Sequence, residues 1–172
     1  DGTTNFSFHN PIWAVSIGIF KDKEVVAGVV YSPVLDEIFV AVKNAGVTLN
    51  GEEIKISQIP PEKEIHTFCH GSDMKSLKIA LKYYEHQKLH GFDCRQLGSA
   101  AMELSFVAAG RVESIMIPGV NAWDVAAGAL FVKEAGGKVT DFAGNDWNLD
   151  SRDILASNGR DHEGLLEIIQ GL

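Results

Sequence analysis

Two aspartates stand where a carboxylate needs an explanation. Asp124 opens a predicted helix in the stretch 121–141, which reads Asn-Ala-Trp-Asp-Val-Ala-Ala-Gly-Ala-Leu-Phe-Val-Lys-Glu-Ala-Gly-Gly-Lys-Val-Thr-Asp. Between Asp124 and Gly136 the only charges are Lys133 and Glu134, both near the far end. A helix that is apolar nearly all round is predicted to be buried. A carboxylate in its first turn suits the helix dipole. Burying that charge still requires a partner, often a metal ion. Asp1 heads the second stretch, Asp1-Gly2-Thr3-Thr4-Asn5. Asp-Gly followed by hydroxyl residues is a turn that can lead into a helix N-terminus, where free N–H groups hold a phosphate. Taken alone, that stretch reads first as a plain turn.

The elements that must position these residues fall into two groups. Residues 12–20 and 24–31 are β-rich runs joined through Lys21-Asp22-Lys23, the pattern of a hairpin. Short strands at 37–42 and 46–49 follow, with a turn at Asn50-Gly51. This first part is expected to be an antiparallel meander with one face packed against something outside it. Ile59-Pro60-Pro61-Glu62 is the expected boundary, because paired prolines interrupt both helix and sheet. The division is residues 1–60 and 61–172.

Beyond it, residues 65–69 read as a strand. A helix over 73–88 follows, capped by Ser72, with Leu77, Ala80, Leu81 and Tyr84 on its buried face. Further strands are predicted at 92–97, 112–117, 138–142 and 154–156. Helices are predicted at 98–109 and 162–169, besides the one that Asp124 opens, which Gly136-Gly137 ends. Strands alternating with helices give an α/β half behind an antiparallel one, a layered sandwich of mixed α/β (α+β) class.

Bulk properties narrow the function. The chain has 172 residues, 45% hydrophobic and 22% charged, with a net charge of −8. Such a balance suits a soluble globular protein and opposes a nucleic-acid surface, which needs clustered Lys and Arg. A small anionic substrate stays compatible, since bound cations can invert the local field. No run approaches the ~20 apolar residues of a membrane span. Cys69 and Cys94 lack metal-site spacing and suit a reducing compartment, so the expected location is cytoplasmic. Asn5-Phe6-Ser7 matches a glycosylation acceptor by chance. His66 and His70 flank Cys69 in a segment that reads as strand, where i, i+4 spacing does not converge on a metal.

The two aspartate stretches together resemble the signature motifs of the inositol monophosphatase superfamily of magnesium-dependent phosphomonoesterases. The first family motif, Asp-Pro-(Ile/Leu)-Asp-Gly-Thr, is matched in its second half by Asp1-Gly2-Thr3. The second, Trp-Asp-x-Ala-Ala-Gly followed by Glu-Ala-Gly-Gly, is matched by Trp123-Asp124-Val125-Ala126-Ala127-Gly128 and Glu134-Ala135-Gly136-Gly137. Between them the resemblance runs through Ala14-Val15-Ser16-Ile17-Gly18, Gly28-Val29-Val30-Tyr31, Asn50-Gly51 and Gly98-Ser99-Ala100-Ala101. It covers nearly the whole chain. It also implies upstream helices and further metal ligands, so that the chain is the C-terminal portion of a longer protein.

The resemblance implies the chemistry. Phosphate monoesters hydrolyse slowly because the anionic ester repels a nucleophile, and Mg²⁺ lowers that barrier by neutralising charge and activating water. Mg²⁺ prefers carboxylate and water oxygens. Asp1 and Asp124 are the implied metal ligands, and Asp1, Thr3 and Asp124 the implied catalytic residues. Gly2 and Thr3 are the implied phosphate contacts, with the Thr3 hydroxyl orienting the attacking water. Gly98, Ser99 and Ala100 are implied contacts of the sugar or cyclitol ring. The substrate is a small phosphorylated metabolite, water attacks phosphorus with no covalent intermediate, the protein is a homodimer, and lithium inhibits it.

Blander roles stand beside these: a turn for Asp1, helix capping for Thr3 and Asp124, and helix initiation for Gly98-Ser99-Ala100. Arg95 reads first as a surface ion-pair residue. Glu134 reads as structural, and Trp123 as a core residue that fixes the rotamer of Asp124. One departure matters: inositol-specific members carry a Glu seven residues before the Trp-Asp aspartate, where this chain has Ile117. Isoleucine cannot accept a hydroxyl proton, which opens the substrate to fructose 1,6-bisphosphate and other small phosphate esters. The competing class is a relative that binds phosphate without turnover.

Overall fold

Alternation in the first third of the chain becomes a five-stranded antiparallel meander in a computed structural model that describes residues 1–59 and 64–172. After a short helix α1 (Thr3–Ser7) come β1 (Val15–Lys21), β2 (Glu24–Ser32), β3 (Glu37–Val42), β4 (Val47–Leu49) and β5 (Glu52–Glu53), each paired with the next. Asp22 and Lys23 both take positive φ between β1 and β2, as a two-residue hairpin turn requires. Asn50 and Gly51 do the same between β4 and β5. The proline pair expected to divide the chain lies outside the described residues.

The second sheet has the order β7-β6-β8-β10-β9. Its strands are β6 (Ile65–Phe68), β7 (Asp93–Arg95), β8 (Ser114–Pro118), β9 (Lys138–Thr140) and β10 (Asp153–Ser157). β6 runs parallel to β7 and β8, while β10 is antiparallel to β8 and β9. The helices are α2 (Met74–Leu89), α3 (Ala100–Ala108), α4 (Ala122–Glu134) and α5 (His162–Gln170). α3 and α4 fill the layer between the two sheets, and α2 and α5 cover the second sheet's other face.

Small residues allow that central layer to be thin. A Cβ built on Gly28 of β2 would lie 2.9 Å from the Cα of Ala127, and one on Gly18 of β1 would lie 3.3 Å from the Cβ of Ala126. On another side of α4, a Cβ on Gly128 would fall 2.4 Å from that of Leu104 in α3. The Ala-Ala-Gly run is therefore where three backbones approach, and one hydrophobic core runs from Val30 and Phe39 of the meander to Ile115 and Ile154 of the second sheet.

Two sequence expectations are corrected. The cap of α2 is Asp73, not Ser72: its carboxylate accepts the N–H of Ser76 at 3.0 Å. The buried face of α2 carries Ser76, Ala80, Tyr83 and Gln87, while Leu81 and Tyr84 are exposed. The apolar pattern missed this because the packing partner chose the face: Ala80 and Tyr83 meet Phe68, Cys94 and Met116 of the second sheet. His66 and Ser114 stand side by side in the β6–β8 register, and the Ser114 hydroxyl bonds the His66 Nδ1 at 2.8 Å. The meander's outer face is apolar and uncovered within the chain, with Val15, Ile17, Ile19 and Val42 each more than half exposed. No helix of the described residues is long and apolar enough to cross a membrane.

Candidate active site

The cleft that joins the two aspartates lies at the carboxyl ends of β6 and β8, where ligands of parallel strands usually sit. It encloses about 520 Å³, and both Asp1 and Asp124 line it, with Gly98, Ala100 and Ile117. The 122 residues between them in sequence are closed by tertiary contact alone.

Asp1 is held at its backbone and at one carboxylate oxygen. Its main-chain nitrogen donates to the Ala14 carbonyl at 2.7 Å, and the Ala14 N–H returns a bond to the Asp1 carbonyl at 3.0 Å. Oδ2 accepts the Ser99 hydroxyl at 2.6 Å and the Ala101 N–H at 2.9 Å. These donors are the N-cap and first turn of α3, so the helix that opens at Ser99 orients the carboxylate. The Ser99 hydroxyl oxygen also receives the Met102 N–H. Ser99 is itself buried and turned towards Asp1.

Asp124 sits half-buried in the first turn of α4, its N–H bonded to the Asn121 carbonyl at 3.0 Å and its Oδ2 3.4 Å from the Asn121 side-chain amide. Trp123 is corrected: it is 73% exposed and not a core residue. A buried helix still has an exposed end, and Trp123 stands at that end while Val125, Ala126 and Ala127 enter the core. Gly2 is buried and left-handed at φ 80°, and it accepts the N–H of Phe6 to begin α1. Thr3 is exposed in the first turn, and it is Thr4 and Asn5 from the same helix that line the cleft.

Two glycines close the opposite wall. A Cβ on Gly71, after β6, would lie 2.4 Å from the Gly119 carbonyl oxygen, and one on Gly119 would lie 2.2 Å from the Ser76 hydroxyl. The loops after β6 and β8 therefore touch backbone to backbone. Residues that motif reading passed over also line the cleft, among them His70, Gln96 and Asn121. His70 Nδ1 donates to the Gly71 carbonyl at 2.8 Å, which leaves Nε2 unbonded. Their signal was position, since residues that follow parallel strands gather at one edge of the sheet.

Apart from the His70 imidazole, Asp1 and Asp124 carry the only ionisable oxygen or nitrogen groups among the described lining residues. A phosphate entering beside two carboxylates needs a cation. Two carboxylates with room for water and substrate oxygens form a donor set of the kind Mg²⁺ takes. Among the described residues no group of three or more His, Cys, Asp or Glu forms a complete metal cage. Cys69 lines the same cleft, but burial and the neighbouring Glu103 push its thiol far above the ordinary range, so it holds no thiolate.

Several polar residues have other duties. Arg95 lies 3.7 Å from Asp93 on the surface. Glu134 accepts the N–H groups of Asn44 and Gly46 at 2.8 and 2.9 Å, tying the end of α4 to the meander. A second cleft of about 570 Å³ lies at that end of α4, and its Lys43 is paired with Glu24. His66 is buried, beside Ser114, Glu64 and Phe92, and belongs to no metal-holding group among the described residues.

A model of the inositol monophosphatase family matches residues 1–172. The chain is 37% identical over 169 residues to a fructose-1,6-bisphosphatase/inositol-1-monophosphatase of Thermotoga maritima, covering 98% of this chain and 64% of that one. It is 36% identical over 175 residues to the Nus factor SuhB of Pasteurella multocida, covering 99% of this chain and 64% of the relative. Among solved structures, an IMPase of Thermotoga maritima superposes with a TM-score of 0.90 at 36% identity, over 99% of this chain and 66% of that one. The chain thus spans about 64% of the length of these curated relatives.

Proposed function

The chain belongs to the inositol monophosphatase family, and on that premise we propose that the protein hydrolyses a small sugar or polyol phosphate monoester in a magnesium-dependent reaction. The observation that carries this reading is the convergence of Asp1 and Asp124 on one cleft beside Gly98 and Ala100. When bound, Mg²⁺ supplies charge neutralisation and Lewis-acid polarisation of the ester. Asp1 and Asp124 hold it. Ser99 and the Ala101 N–H occupy one oxygen of Asp1, which leaves the other for the cation. Gly2 and Thr3 stand at the start of α1, next in sequence to the lining residues Thr4 and Asn5; the family resemblance gives them the phosphate, and gives the Thr3 hydroxyl the attacking water. Water is the nucleophile that the family resemblance implies, and burial with the neighbouring Glu103 pushes the Cys69 thiol of the cleft far above the range in which it would compete.

Gly98 and Ala100 border the ring of the substrate, whereas Ser99, buried and bonded to Asp1, acts through that carboxylate and not on the ring. Ile117 is 3% exposed in the cleft wall and offers no acceptor for a ring hydroxyl. No Lys or Arg stands among the described lining residues, which favours a substrate with one phosphate on a neutral polyol over a bisphosphate. The proposal includes a cytoplasmic homodimer, and light scattering on the complete protein checks the dimer.

A second reading is a protein that keeps the fold and binds phosphate without turnover, and a relative named for a role other than hydrolysis, the Nus factor SuhB, is the finding that keeps it in view. Phosphate release by the complete protein separates the two. The panel is inositol 1-phosphate, fructose 1,6-bisphosphate, histidinol phosphate, adenosine 3′,5′-bisphosphate and NADP, each with and without Mg²⁺. Magnesium-dependent release from a monophosphate supports hydrolysis as proposed. Release confined to the bisphosphates overturns the single-phosphate preference, and no release from any ester by folded protein supports the binding reading.

A further inference from the structure

Glu103 is the one acidic residue of α3 and is fully buried between the sheets. A carboxyl group in such a place is costly unless its bonds compensate. One oxygen, Oε1, accepts three donors: the N–H of Leu97 at 3.2 Å, the N–H of Gly98 at 3.0 Å and the Cys69 thiol at 2.9 Å. The first two belong to the turn before α3, and the third to the segment after β6. Both segments line the cleft, through Gly98 and Cys69.

The same turn is gripped from its other side. Asn5 Nδ2 donates to the Leu97 carbonyl at 2.8 Å and to the Ile12 carbonyl at 2.6 Å. Gly98 has φ +84°, and a Cβ there would lie 3.3 Å from the same amide nitrogen. The turn therefore has little freedom while both grips hold. The residues that follow it, Ser99 and Ala101, donate the two bonds that fix Asp1.

We propose that Glu103 is a positioning residue of the active site: from inside the core it fixes the turn of Leu97 and Gly98, and through Ser99 and Ala101 it sets the carboxylate of Asp1. The inference rests on the reading of Asp1 as a magnesium ligand. Glu103 touches neither substrate nor metal. Its effect is transmitted by the two backbone N–H groups of the turn, which the Asn5 grip on the Leu97 carbonyl does not hold. The Ser99 hydroxyl and the Ala101 N–H are the partners one step behind the metal ligand, where changes commonly shift metal affinity by about 10–100-fold, and Glu103 holds the turn that leads into both.

The test uses the complete protein and Mg²⁺ alone, measured by titration calorimetry, with hydrogen exchange at Leu97 and Gly98 as a second readout. Glu103→Ala is expected to lose amide protection at both positions and to bind Mg²⁺ at least about 10-fold more weakly. Glu103→Gln, whose amide oxygen can still accept both N–H groups, is expected to stay within about 3-fold of the unaltered protein. Leu166→Ala, a buried change in α5, is the stability control and is expected to lower the melting temperature with no change in Mg²⁺ affinity. If Glu103→Ala does not fold, Glu103→Asp replaces it: the charge is kept and the reach shortened, and weakened Mg²⁺ binding is again expected. Wild-type Mg²⁺ affinity in Glu103→Ala or Glu103→Asp overturns the positioning role. Absence of Mg²⁺ binding in the unaltered protein overturns the metal reading itself and this role with it.

Discussion

The Asp1 carboxylate, the proposed metal ligand, shows how little of a site lies in one residue. Its type was legible in the sequence, but its orientation depends on Ser99 and Ala101, roughly a hundred residues on. If both aspartates hold the metal, their loss and the loss of an orienting group differ in size. Asp124→Asn in the complete protein keeps the fold and lowers turnover by more than about 100-fold, beyond what an outer partner costs. Steady-state kinetics together with a thermal melt checks it, and near-normal turnover sinks the assignment. Ser99→Ala removes one of two donors to Asp1 and weakens Mg²⁺ binding by about 10-fold, as calorimetry would read. The Ala101 N–H, which no substitution short of proline removes, retains the remainder.

At the scale of elements, α4 explains why the second motif is so rich in small residues. Ala126, Ala127 and Gly128 face β1, β2 and α3 at distances that leave no room for larger side chains. Gly128→Ala places a methyl 2.4 Å from the Leu104 Cβ. Overpacking of that kind costs about 1–3 kcal/mol. A drop of several degrees in melting temperature is expected, and Leu104→Gly in the same chain, which removes the Cβ itself, should restore part of it, because contacting sites are not additive. Equal losses from the two changes, summing in the double variant, would place the strain elsewhere. The same helix delivers Asp124 to the cleft, so its packing sets the site's depth.

Across the whole molecule, four buried ionisable groups set opposing pH dependences. Burial pushes His66 and His162 down to about 4, with Lys138 adding to the effect on His162. Each is neutral when folded, so its contribution is full above the unfolded value near 6.5 and is lost as pH falls towards 4. Burial pushes Glu64 and Glu103 up to about 7, with Glu113 adding to the effect on Glu64. Each is protonated when folded at low pH, so its contribution is full below about 4.5 and is lost as pH rises towards 7. Between pH 4.5 and 6.5 the two pairs oppose one another, and stability is expected to be nearly level. Glu103→Gln removes one falling contribution and should make stability rise with pH across that window, by about 1–3 kcal/mol. Urea denaturation at pH 5 and 6.5 measures it, and an unchanged level profile would mean that Glu103 does not titrate there.

Sequence alone determined the parts that depend on local chemistry. Asp-Gly-Thr at one end and Trp-Asp-x-Ala-Ala-Gly near the other identified the family; alternation over 15–42 gave a meander; Gly136 after Glu134 ended a helix. Each of these is set by side-chain type within a few residues. Tertiary structure decided what depends on which surfaces meet. Trp123 left the core because its helix end projects from the layer that buries the rest. The buried face of α2 turned to Ala80 and Tyr83 because Phe68, Cys94 and Met116 of three neighbouring strands meet them there. Glu103 was invisible as a working residue, since its three donors come from two other segments of the chain. Hydrophobic periodicity reports that a face is buried, whereas the partner that meets it, and the bonds made there, exist only once distant strands and helices are brought together.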